Sequence, residues 1–400
     1  MYQRHLAKHI LKYAKQYPVL ALVGPRQSGK TTLAKMLFPE YKYLSLENIA
    51  LRQRASQDPE GFLNDHGMYI ILDEAQNVPE LFSYLQQRVD ENQEPGQYIL
   101  TGSSQFSLVE NITQTLAGRI ATFKLFPFSF LEIASYPEEN GPAIFRQTHT
   151  GRKRWIADDL YQLLLTGFYP RIYDKHLDSD KWYQNYVLTY VERDVRALLN
   201  VRNLRTFEHF LLLCASRSGQ LLNFSDLSGV LGVSVSTIKE WITVLETSGL
   251  IFILPPFFEN YSKRIVKTPK LYFADTGLLC HLLSIRTLDH LKTHPLLGHI
   301  FETFIISECF KRFYNAGEIP PLYFWRDISQ NEIDLLIYDG KSAFPIEIKL
   351  AQTFNPDFKQ GIQKWFDYDA NPAKKGMVIY CGNEVVDAKG VIPCVPWSLL

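Results

Sequence analysis

Residues Gly24, Pro25, Arg26, Gln27, Ser28, Gly29, Lys30, Thr31 and Thr32 follow the pattern G-x-x-x-x-G-K-[ST]. An apolar run, Val19 to Val23, precedes them, and a helix-like run, Thr31 to Leu37, follows. The glycines let the backbone curl so that its N–H groups converge on phosphate oxygens. Lys30 has the reach for β- and γ-phosphates, and the Thr31 hydroxyl suits Mg²⁺. Strand, loop and helix in this order predict a nucleotide site with ATP as ligand.

The segment Tyr69 to Gln76 ends an apolar strand in an acidic pair, Asp73-Glu74. Acidic pairs also close ordinary sheet edges. Downstream of a phosphate loop they acquire a chemistry: Asp73 would hold the Mg²⁺ shell and Glu74 would polarise the attacking water. A third strand, Tyr98 to Thr101, runs into Gly102, Ser103, Ser104 and Gln105. The Ser103 hydroxyl could orient that water or sense the γ-phosphate, or merely close a Gly-Ser turn. Arg119, in Leu116-Ala117-Gly118-Arg119, is open to three roles: a finger acting in cis, a finger acting on a neighbouring subunit, or a surface arginine.

A second constellation lies near the C-terminus. Asn331 to Tyr338 and Phe344 to Leu350 read as two strands joined through Asp339-Gly340. Alternation puts Glu347 and Lys349 on one face, and a loop of about four residues puts Asp334 opposite Glu347. Asp334 and Glu347 would then bind Mg²⁺, with Lys349 orienting water for phosphodiester cleavage. Glu302, on a helix spanning Gly298 to Glu308, would complete the site. The spacing is similar to the D-x₁₂-E-x-K pattern of the PD-(D/E)XK nuclease fold. A solvated charged strand face would need the same residue types, so cleavage does not follow from the fold.

Between these sites the pattern is helical. Phe207 to Ser216, a short helix capped at Asn223, and Ser234 to Gly249 precede two strands, Leu250 to Leu254 and Lys270 to Phe273. This order predicts a winged helix, with Lys239 on the recognition helix and Lys263, Arg264 and Lys267 in the wing. Only Lys239 supplies positive charge to the recognition face, whereas a phosphate-dominated interface wants several cations. DNA and a protein partner both stay open.

Lys+Arg and Asp+Glu number 42 each, so no global charge advertises nucleic acid. The five cysteines are widely spaced, which argues for buried thiols in a reducing compartment. No segment reads as a signal peptide or membrane span, so the expectation is a cytoplasmic protein without a membrane partner.

The phosphate loop, Asp73-Glu74 and Arg119 together resemble an AAA+ ATPase core. More closely, the chain resembles a prokaryotic family that joins such a core to a C-terminal DUF4143 domain. Phe126-Pro-Phe-Ser-Phe-Leu-Glu132, Thr166-Gly-Phe-Tyr-Pro170 and Tyr190-Val-Glu-Arg193-Asp194-Val195 carry that resemblance. Phe168 stands where the family usually has a second glycine. The implied fold is α/β: a P-loop NTPase core and helical lid over 1–200, a winged helix over 201–280, and a mixed α/β nuclease-like domain over 285–400. The AAA+ likeness also implies a homo-oligomer.

Overall fold

Burial on both faces explains why the strand before the phosphate loop is apolar throughout. In the computed structural model, β1 (Val19–Gly24), β2 (Lys42–Ser45), β3 (Ile70–Asp73), β4 (Tyr98–Ser103) and β5 (Ile120–Lys124) form one sheet. Their order is β2-β3-β4-β1-β5, and every neighbouring pair is parallel. The structure describes residues 2–103, 115–136, 155–195, 204–257, 268–327, 330–367 and 375–400, and the side chains of 192–195 are not among them. Alternate β1 residues feed two cores: Val19, Ala21 and Val23 on one face, Leu20 and Leu22 on the other. The N-terminal helix, Ala7–Tyr13, sends Ile10 into the second core, which Leu6 just before it also joins. β1 has β4 on one side and β5 on the other, so the loops beyond their carboxyl ends open a crevice.

Helices Leu204–Ser216, Phe224–Leu231 and Val235–Thr247 follow. Each of the last two begins at a capping side chain: Asn223 Oδ1 accepts from Asp226 N at 3.1 Å, and Ser234 Oγ from Thr237 N at 3.1 Å. They lead into a small antiparallel sheet, β6 (Gln220–Leu221), β7 (Ile251–Leu254) and β8 (Lys270–Phe273), ordered β6-β8-β7. The expected wing residues Lys263, Arg264 and Lys267 lie outside the described residues.

The last sheet is mixed. β9 (Leu322–Arg326), β10 (Glu332–Tyr338) and β11 (Ala343–Lys349) are antiparallel, and β12 (Met377–Tyr380) and β13 (Cys394–Pro396) add in parallel. The helix Leu297–Asn315 runs beyond the expected stretch and shares a core with this sheet. That core is continuous from Phe126 to Leu400, so the helices Ala157–Thr166, Pro170–Asp174 and Ser179–Tyr186 (the expected lid), the middle helices and the C-terminal sheet pack as neighbours. All five cysteines are free and buried. Among the described residues no helix is long and apolar enough to cross a membrane.

A buried carboxylate ties the lid to the middle segment. Asp275 accepts from Phe168 N at 2.7 Å, Tyr183 OH at 2.7 Å and Leu278 N at 2.8 Å. Phe168 itself is buried, stacked on Phe304 with centroids 5.8 Å apart and covered by the Lys311 ammonium at 4.1 Å. A glycine there would leave that space empty. Removing the carboxylate would orphan two backbone donors and a phenol. Asp275→Ala is therefore expected to lower stability by about 3 kcal/mol or more, measured by urea unfolding.

Candidate nucleotide site

The phosphate loop has the shape its glycines permit. Gly29 has φ +95°, the left-handed region that side chains avoid. A Cβ on Gly24 would come 2.1 Å from the Leu125 carbonyl oxygen, so only glycine lets β5's exit pass so close. Lys30 begins the following helix, Lys30–Leu37, and is 6% exposed. Its Nζ folds back onto Gly24 O at 3.0 Å and Pro25 O at 2.9 Å. Burial pushes its ammonium down to about 8, against the opposing pull of Glu74 and Asp73.

The Thr31 hydroxyl donates to Asp73 Oδ1 at 2.9 Å. Asp73, at the end of β3, also accepts from Thr101 and, at 2.6 Å, from the Tyr43 hydroxyl. Tyr43 from β2 and Thr101 from β4 thus hold the carboxylate facing the loop. A hydroxyl beside a carboxylate is a hard oxygen pair, and it fits Mg²⁺ bound mainly through nucleotide phosphates and water.

Glu74 follows in left-handed backbone, φ +53°, which turns it out of strand register. Gln76 Nε2 donates to Glu74 Oε2 and, at 3.2 Å, to Ser103 Oγ. One amide thus joins the expected base to the expected serine. The cleft in front of the loop measures about 610 Å³ and is lined by Tyr2, Lys30, Thr31, Glu74, Pro170 and Arg171, among others. That is ample for a nucleotide.

Arg119 does not reach this cleft, which removes the cis role. It directly precedes β5, whose first residue pairs with Val19, the first of β1. The loop leaves the other end of β1, roughly 17 Å away at a strand's rise. The guanidinium instead pairs both arms with Asp90, Nη2 lying 2.9 Å from Oδ2.

At the C-terminal sheet, Lys349 Nζ lies 2.5 Å from Glu347 Oε2 and 3.9 Å from Asp334 Oδ2. A register shift between Ile333 and Leu336 re-aims the strand around Asp334, which accepts from Ile348 N at 2.8 Å. The three expected side chains therefore meet. Glu347 is 3% exposed, and burial, then Asp334, pushes its carboxyl up to about 8. Glu302 lies close enough for its charge to raise the Asp334 carboxyl, after burial, and has partners of its own. It accepts from Tyr272 OH at 2.6 Å and Lys270 Nζ at 3.1 Å, and Lys270 also reaches Glu332 at 2.6 Å. Lys349 thus neutralises Glu347 and Asp334, and Lys270 neutralises Glu302 and Glu332. Among the described residues, no three His, Cys, Asp or Glu side chains converge to hold a metal ion. Asp334, Glu347 and Glu302 do not form such a group.

Family models match three segments: an AAA domain over 16–134, a domain of unknown function (DUF8612) over 157–289, and a domain of unknown function (DUF4143) over 297–400. An uncharacterized protein of Mycobacterium tuberculosis is 30% identical over 356 residues, spanning 88% of this chain and 74% of its own. A counterpart in Mycobacterium bovis matches equally. The chain belongs to the family of AAA-domain proteins with a C-terminal DUF4143 domain. A solved Walker-type ATPase of Pyrococcus abyssi is similar at 14% identity and TM-score 0.45, covering 71% of this chain and 96% of that one.

In this AAA-domain protein several site residues escaped sequence reasoning. Tyr43 and Thr101 hold Asp73 from other strands, and nothing in their local sequence marks them. Gln76, two residues after Glu74, was the legible one, because an amide at that spacing can turn back on the carboxylate. Arg171 and Lys175 bring lid cations to the cleft.

A phosphate ligand needs the Lys30 ammonium, whose free form loses its proton above about pH 8. Binding should then take up a proton, and ATP affinity should fall as pH rises through 8. Calorimetric titration at pH 8.5 in two buffers of different ionisation enthalpy checks this. Net uptake in the wild type and none in Lys30→Met is expected.

Proposed function

We propose that this protein binds and hydrolyses ATP, and that its nucleotide state governs a winged-helix and nuclease-like module acting on a partner. The single observation carrying the proposal is the Thr31–Asp73 contact of 2.9 Å beside the buried Lys30 of the phosphate loop. The loop N–H groups and Lys30 bind the phosphates. Thr31 and Asp73 would hold Mg²⁺, which supplies charge neutralisation at the β,γ-bridge when bound. Glu74, oriented by Gln76, takes a proton from the water that attacks the γ-phosphate. The bond from γ-phosphorus to the bridging oxygen breaks, and ADP leaves.

We carry the division at 1–200, 201–280 and 285–400 as part of the same proposal. For the partner, a protein is favoured over DNA. The exposed face of helix Val235–Thr247 offers Ser236, Lys239, Glu240 and Thr243, which is neutral. Nearby Val230 is 60% exposed. A phosphate-binding surface would carry more positive charge. If Arg119 serves as a finger it does so on a second copy, and turnover per chain should then rise with protein concentration.

Lys30→Ala is expected to abolish ATP turnover; unchanged turnover would sink the proposal. Glu74→Gln should keep nucleotide binding and lose hydrolysis by about a hundredfold or more. The convergence of Asp334, Glu347 and Lys349 favours a second reading, a metal-dependent nuclease with a regulatory ATPase. Because Lys270 occupies Glu302 and Glu332, no DNA cleavage is expected with Mg²⁺ or Mn²⁺. Cleavage lost on Glu347→Ala would establish the nuclease instead.

A further inference from the structure

A loop whose N–H groups converge on an anion turns its carbonyls the other way, and each buried carbonyl then needs a donor. Lys30 serves Gly24 and Pro25, and Ser28 N adds a second bond to Pro25 O at 3.3 Å. Lys30 is also the group that phosphate recruits. Once it turns to the ligand, the loop depends on donors from outside. Arg4 is the charged one. It precedes the N-terminal helix, is 5% exposed, and lines the cleft. Its Nη1 donates to Ser28 O at 2.7 Å, Nη2 to Phe126 O at 2.6 Å, and Nε to Glu132 Oε1 at 3.0 Å. The guanidinium carbon lies 5.0 Å from the Phe128 ring centroid. Three arms thus hold the loop, the exit of β5 and a short helix, Phe130–Ile133, in one fixed relation. Glu132 is rigid in turn, accepting from His5 N and Ser129 N at 2.9 Å each.

We propose that Arg4 is a positioning residue for ATP: it fixes the Ser28 carbonyl and thereby keeps the loop's N–H groups aimed at phosphate. Without that donor a buried carbonyl is orphaned, and the loop must turn to regain a partner. A lysine cannot substitute, because one ammonium does not reproduce a planar fork aimed at three acceptors. The inference rests on the ATP-binding proposal.

Removing Arg4 alone strands the Glu132 charge and threatens the fold. The test therefore uses Arg4→Met/Glu132→Met, which removes both charges, and Arg4→Lys, which keeps a cation beside Glu132. Fluorescent ATP-analogue affinity, KM and kcat are measured alongside circular dichroism and thermal unfolding. Folded variants are expected to bind at least about tenfold more weakly, with KM raised and kcat less affected. Wild-type affinity in either folded variant overturns the role of Arg4. Absence of binding by the wild-type chain would instead overturn the ATP site itself, which separates the two failures.

Discussion

The constraint behind this structure is the demand a phosphate loop makes on its surroundings. Backbone donors gathered toward an anion leave acceptors behind them, and those acceptors recruit the rest of the chain. Arg4 comes from the N-terminus, and the Tyr186 hydroxyl reaches Arg26 O at 3.5 Å from the lid. The turn at Gly249, φ +72°, packs on Pro25 so closely that a Cβ would lie 2.8 Å from its Cδ. Segments far apart in sequence therefore touch the same few loop residues.

Charge is distributed by the same logic. Arg4 has Glu132, Lys311 has Glu308, and Lys270 has Glu302 and Glu332. Such buried pairs hold geometry more than they add stability, because desolvation offsets much of their attraction. Glu308 also accepts from Phe130 N at 2.6 Å, and Lys311 donates to Phe128 O at 2.9 Å. The long C-terminal helix is thereby fastened to the segment that Arg4 holds from the other side. Lys30 differs: it rests on two loop carbonyls, and burial lowers its proton affinity.

The phosphate loop was legible because its chemistry needs contiguous residues. Asp73 and Ser103 were legible because each ends a strand whose apolar run can be seen, and Glu74 because it directly follows one. The meeting of Asp334, Glu347 and Lys349 followed from alternation across a short hairpin. Arg4 and Lys270 were not legible, since their partners lie far away in the chain and no local pattern marks the pairing. Lys270 changed the meaning of the C-terminal carboxylates once its position was known. β12 and β13 were missed because strands of four and three residues carry too little periodicity. Arg119 was placed in a candidate role by its neighbours in sequence, and the parallel pairing of β5 with β1 puts it at the far end of the sheet.

The loop is built to bind MgATP in the folded chain, and no unfolded state offers that site. Ligand that binds only the folded chain raises its unfolding temperature by mass action. Scanning calorimetry of the full chain, with and without saturating MgATP, tests this most directly. An upward shift in the wild type that disappears in Lys30→Ala is expected; an unshifted wild-type transition would contradict a nucleotide site at this loop.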